Sequence, residues 1–368
     1  MTRFTDNWTS RQTIQPSLTT SNHHTAVLTV ALLLLSSLPV FISCIIDDSY
    51  YHNEEGSGAP KTVKTILTFT PETGTMADGT LDIFFFNNDR LRKLDSYQRT
   101  QIHKSNIIEA ASREGDKIIV VIANSHIKEE DCENIYDYAD LSGLYAELKD
   151  ERSDYPILCA ETTVNSGHER RCAITLEPLM AQVKINSISC DFFNKPYSDA
   201  ELTDVKIYLT NICSRYPIAG QQPSVPESII DYGKFEPEDT SGFIDRHLFY
   251  QRLDSPLNAS VIYPEIMLYC YQNIVEEEAL GSPFTRLVIE GTLNGETTYY
   301  PINVNRGVWS SPDGKAGVSR NGCYVYDITI SQRGVPSPDT PIEPGTVTCN
   351  FSITPWQEQD KRNVTFRL

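Results

Sequence analysis

A chain of 368 residues exceeds what one ordinary hydrophobic core supports, so two domains are expected. Its 31 basic and 49 acidic residues leave a net charge of -18, which excludes the basic footprint that nucleic acid or an anionic membrane surface needs in a partner. It contains no HExxH, G-x-S-x-G, P-loop or strand-following G-x-G-x-x-G, so the sequence gives no reason to prefer an enzyme and calls for no cofactor.

Residues 26–42 (AVLTVALLLLSSLPVFI) form an uncharged apolar run, too short and too broken by Ser36, Ser37 and Pro39 for a membrane span, and read as a signal-peptide core. The run ends with Ser43 before Cys44, which resembles a bacterial lipobox, although Phe41 stands where Leu is usual. The expectation is a lipoprotein signal over residues 1–43 and lipidation at Cys44; the alternative is an unpaired or buried cysteine beside an ordinary cleavage site. Asp47 and Asp48 resemble the acidic signal that sends some lipoproteins to the outer surface. Residues 44–60, polar and acidic, then form a tether that holds a folded body off a membrane.

The body opens with a strand over residues 63–70 (VKTILTFT). Residues 81–86 (LDIFFF) and 117–123 (KIIVVIA) are apolar on both faces, the pattern of strands in the middle of a sandwich. Acids at 129, 130, 131, 133, 137 and 140 read as a solvated loop, since their spacing fits no EF-hand, and no Cys/His cluster has zinc spacing, so no metal site is expected. Leu141, Leu144, Tyr145 and Leu148 follow helical spacing with Asp140 as cap, which predicts one helix of about three turns. Residues 158–176 read as a hairpin turning at Asn165, Ser166 and Gly167; counting outward sets Cys159 nearly opposite Cys172 as a possible disulfide, with small buried hydrophobes as the alternative. The expected domains are 61–178 and 179–368.

In the second half, residues 181–188, 204–212 and 262–271 read as strands, and 220–243 as a long surface loop. Residues 286–304 carry the clearest local signal, two alternating runs around Asn294-Gly295, the dipeptide of a type I′ hairpin turn. Residues 324–330 form a further strand. Prolines at 336, 338, 341 and 344 then predict an extended arm that does not pack at home. Two alternating strands close the chain: Val347, Cys349, Phe351 and Ile353, then Val364, Phe366 and Leu368. The strands and single helix indicate an all-β protein of two antiparallel β-sandwiches.

The order NGCYVYDITI (321–330), Gly334, PDTPI (338–342) and an alternating strand ending in Pro355 and Trp356 resembles the end of the fimbrillin family, the subunits of Bacteroidota type V pili. The hairpin RLVIEGTLNGETTYYPI, the LDIFFFNND strand and the block LEPLMAQVKI are also similar, and together the resemblance covers nearly all of residues 44–368. It implies transthyretin-like sandwiches, delivery to the outer membrane as a lipoprotein, a role in adhesion, and strand exchange with other pilus subunits as partners. In such pili a protease of trypsin-like specificity removes the first strand, and a neighbour's C-terminal strand fills the groove through main-chain hydrogen bonds and alternate side chains. Carried over here, the removable strand holds Val63, Leu67 and Phe69, and the donor is either the strand of Val347, Cys349, Phe351 and Ile353 or that of Val364, Phe366 and Leu368. One departure matters: no Lys or Arg lies between Lys64 and Arg90, so either the cut falls at Lys61 or Lys64, or the subunit is unprocessed and acts as an anchor or accessory. The competing reading is a monomeric surface lipoprotein that binds glycans or host proteins. The adhesion target is not written in the sequence.

Overall fold

Two apolar runs organise the first half. They form β2 (Thr80–Asn87) and β5 (Lys117–Ala123), paired antiparallel in register from Leu81 opposite Ala123 to Asn87 opposite Lys117. The computed structural model describes residues 61–70, 79–101, 107–165, 169–220, 226, 228–230, 235–236, 240–310, 316–343 and 345–356. The signal segment, Cys44, the tether, and Val364, Phe366 and Leu368 lie outside them.

Three further strands join this layer: β3 (Leu94–Gln101), β7 (Leu158–Val164) and β9 (Glu177–Pro178), in the order β3-β2-β5-β7-β9. Facing it is a second layer of β1 (Thr62–Thr70), β4 (Ile107–Arg113) and β8 (Glu169–Thr175), in the order β4-β1-β8. Leu67 and Phe69 from β1 meet Leu81, Ile83 and Phe85 from β2 and Ile119 and Val121 from β5 in the core between the layers. The opposite faces of β2 and β5, with Phe84, Phe86, Ile118, Val120 and Ile122, are buried as well, because the segment 124–157 folds over them.

That segment departs from the expected helix. An α-helix forms instead at α1 (Glu129–Glu133), within the acidic run that read as a loop. Tyr138–Gly143 is a 3₁₀ turn whose cap is Asp137, not Asp140; Asp137 accepts from the amides of Ala139 and Asp140, and Asp140 reciprocates in a capping box. The chain then becomes β6 (Tyr145–Glu147), because pairing with β13 (Arg215–Pro217) and the Arg215 guanidinium 3.7 Å from the Tyr145 ring centroid outweigh local helix propensity.

The second half repeats the plan. One layer holds β16 (Ile266–Cys270), β10 (Ala181–Cys190), β19 (Gly322–Ile330) and β20 (Val347–Pro355), in that order. The other holds β15 (Tyr250–Arg252), β11 (Leu202–Thr210), β17 (Arg286–Leu293) and β18 (Glu296–Asn303). The short β12 (Ile212–Cys213) and β14 (Ile229–Ile230) pair beside them, and Phe235 of the expected surface loop is buried against Tyr208 and Tyr250. Between β17 and β18, Asn294 and Gly295 adopt φ of 53° and 83°, the left-handed conformation a type I′ turn requires.

The two halves share one connectivity. The first strand of each, β1 or β10, lies between an antiparallel neighbour, β4 or β16, and a parallel one, β8 or β19. A mostly antiparallel sandwich with one parallel pair therefore occurs twice. Strand β20 is the addition, with no counterpart among the described strands of the first half.

Candidate strand-exchange site

The β1 slot follows from alternation in TVKTILTFT. Val63, Thr65, Leu67 and Phe69 point inward and are buried, while Lys64 is exposed and pairs with Glu109 at 2.6 Å. Strand β1 is hydrogen-bonded on both sides, in register with β4 from Thr62 to Thr68 and with β8 from Lys64 to Thr70. Withdrawing it would expose the core at Leu67 and Phe69 and strand the facing main-chain groups of β4 and β8.

The donor candidate β20 lies antiparallel on β19 along its whole length, from Val347 opposite Ile330 to Pro355 opposite Gly322. Its inward side chains are those the alternation identified. Val347 is buried; Cys349, Phe351 and Ile353 are half-buried, as befits an edge strand. Phe351 packs on Tyr324 and Tyr326 with ring centroids 6.2 and 4.8 Å apart, and Trp356 reaches Tyr269 at 5.2 Å.

The proline-rich arm differs from expectation: it packs at home. The amides of Tyr299 and Val335 each donate to the other's carbonyl at 2.9 Å, so the arm borders β18; Arg286 reaches Asp339 at 3.3 Å, and Ile342 is buried. Prolines removed donors from the arm without freeing it, because Val335 still exchanges hydrogen bonds with Tyr299, and the Arg286–Asp339 pair and buried Ile342 hold it further along.

The hairpin expected over residues 158–176 is also corrected. β7 pairs with β5 and β8 with β1, so the two arms enter opposite layers, and Cys159 and Cys172 are free thiols. Cys159 sits opposite Ile122 and Cys172 opposite Leu67. Burial pushes the Cys159 thiol up to about 11.

Two contacts between the halves carried no local signal. Arg320, just before β19, donates to the carbonyls of Cys159 (2.6 Å), Glu177 (3.0 Å) and Pro178 (3.1 Å). Glu151 is buried beneath the seam; Oε2 accepts from the Ile157 amide at 3.0 Å and Oε1 from the Tyr271 hydroxyl at 3.1 Å. Burial pushes its carboxyl up to about 8. Nothing local marks partners this distant in sequence.

No family model matches the chain, and no curated protein matches it in sequence. Solved structures do match in fold. A fimbrilin from Porphyromonas gingivalis W83 is 13% identical, covers 80% of this chain and 97% of its own, and superposes with a TM-score of 0.57. A candidate cell adhesion protein from Bacteroides eggerthii is 14% identical, with 82% and 98% covered and a TM-score of 0.59. The tip fimbrial protein Mfa3 of P. gingivalis, truncated at its C-terminus, is 12% identical, with 80% and 100% covered and a TM-score of 0.52. This chain has the fold of these Bacteroidota fimbrilins and cell adhesion proteins, the fold implied by its resemblance to the fimbrillin family.

Proposed function

We propose that the chain is a structural subunit of a cell-surface pilus that supports adhesion, held at the outer membrane by a lipid on Cys44 and joined to other subunits by strand exchange. The observation that carries this reading is β20: an edge strand appended to a sandwich plan that the first half completes without it, and followed by a further alternating segment. Because β20 is engaged along all of β19 and covers Tyr324 and Tyr326, the strand to be donated is that of Val364, Phe366 and Leu368.

The subunit keeps its own first strand. A cut that released β1 would have to fall between Thr70 and Thr80, and no Lys or Arg occurs there. Cleavage after Lys61 or Lys64 would leave Leu67 and Phe69 in the core. A chain with a closed groove and a usable donor strand suits the base or an accessory position of a fibre.

Two measurements test the proposal. Deleting residues 361–368 should abolish multimers while circular dichroism stays unchanged; multimers that persist refute donation by this segment. N-terminal analysis of the subunit taken from fibres should find lipidated Cys44, whereas a start between residues 71 and 80 refutes retention of β1. A chain that is monomeric at the cell surface, deleted or not, fits the competing monomeric lipoprotein.

A further inference from the structure

At one end of the first sandwich, the inner face of β2 and β5 ends in polar residues. Asn87 closes β2, Lys117 opens β5, and the two are directly opposed in the antiparallel ladder, so their side chains share a face. Lys117 is 1% exposed, and its Nζ donates to Asn87 Oδ1 at 2.5 Å. Asp95 on β3, its side chain 3% exposed, places Oδ2 3.4 Å from the same nitrogen. Asp95 is itself held in place, accepting from the Arg113 amide at 2.7 Å.

The surroundings move Lys117 toward its neutral amine form. Burial lowers the proton affinity of Lys117 most; Asp95 opposes this, while Arg170 and Arg113 add to it. Arg170, 4% exposed, is fixed by Ser112 Oγ at 2.8 Å and the Gly115 carbonyl at 2.6 Å, so a second cation stands close to Lys117 in a space closed to water. The arrangement brings together a buried amine nucleophile, a carboxamide in contact with it, and a buried carboxylate within reach to move protons.

We propose that Lys117 and Asn87 join in an intramolecular isopeptide bond, with Asp95 as the proton carrier. The step balances without an oxidant or co-reactant. Neutral Nζ attacks Asn87 Cγ, forming the Nζ–Cγ bond. Asp95 takes a proton from the attacking nitrogen and passes it to Nδ2, the Cγ–Nδ2 bond breaks, and ammonia leaves. The product ties the end of β2 covalently to the start of β5, at the end of the sandwich where Thr62 and Val63 of β1 pair with Arg113 and Ser112.

Tryptic peptide mapping of the full chain tests this. Unlinked protein yields three separate peptides, residues 65–90, 114–117 and 118–128. The linked protein yields instead one branched species, 65–90 joined to 114–128, with Lys117 resistant to cleavage and a mass one ammonia below the sum of its two arms. Lys117→Arg should abolish the branched species, as should Asp95→Asn in a chain whose circular dichroism is unchanged. Three unmodified peptides from wild-type protein overturn the proposal whether or not the variants fold, and a branched species that persists in Asp95→Asn overturns the role given to Asp95.

Discussion

Glu151→Gln should remove a pH dependence that the folded chain otherwise carries. The carboxyl is buried, accepts only from the Ile157 amide and the Tyr271 hydroxyl, and no cation compensates it among the described residues. Its proton affinity rises from the ordinary 4.5 to about 8 in the fold, chiefly through burial. An acid whose folded value lies above its unfolded value binds more protons when folded, so its contribution is fully favourable below about pH 4.5 and declines as pH rises to about 8. At 1.36 kcal/mol per pKa unit, the whole decline is about 5 kcal/mol. Gln mimics the protonated group, since its amide can donate to the Tyr271 oxygen while its carbonyl accepts from Ile157. Urea unfolding at pH 5, 6.5 and 8 should therefore show the variant gaining on wild type at each step, ending more stable by about 4 kcal/mol at pH 8. Parallel pH profiles for the two proteins would refute the assignment of a protonated Glu151.

Two further outcomes follow from the strand-exchange elements. Leu67→Ala, which hollows the core beneath β1, should cost about 3 kcal/mol in urea unfolding, and a loss below about 1 kcal/mol would mean that β1 contributes little to the first sandwich. Gly334→Ala should lift the proline-rich arm from β18, because a Cβ there meets the Tyr299 carbonyl oxygen and comes within 2.8 Å of Thr298 Oγ1. Hydrogen exchange at the Tyr299 and Val335 amides should then accelerate at least about tenfold, the equivalent of about 1.4 kcal/mol; unchanged protection would show that the arm is held elsewhere.

Short-range features were legible in the residue order. The hairpin of β17 and β18 falls where Asn294-Gly295 demanded, because the turn's positive φ angles are a property of those two residues. The runs of β2 and β5 announced burial on both faces. The alternation of residues 347–353 identified which side chains of β20 face the core, and that of β1 identified Leu67 and Phe69. β3 and β4 were missed, since LDSYQRTQ and IIEAASR are polar and half-buried and leave no clean period.

What only the tertiary structure decided depends on partners distant in the chain. Leu141 to Leu148 carries helical spacing, yet pairing of β6 with β13 some 70 residues on makes it a turn and a strand. Residues 158–176 look like a hairpin, but the parallel pairing of β8 with β1 carries the second arm into the other layer, and no local signal encodes a parallel neighbour. For the same reason the repeat of one plan in both halves, the addition of β20, the docking of the arm on β18, and the meeting of Lys117, Asn87 and Asp95 appear only once the sheets are assembled: sequence spacing specifies which face a side chain takes, while register between strands specifies what it meets there.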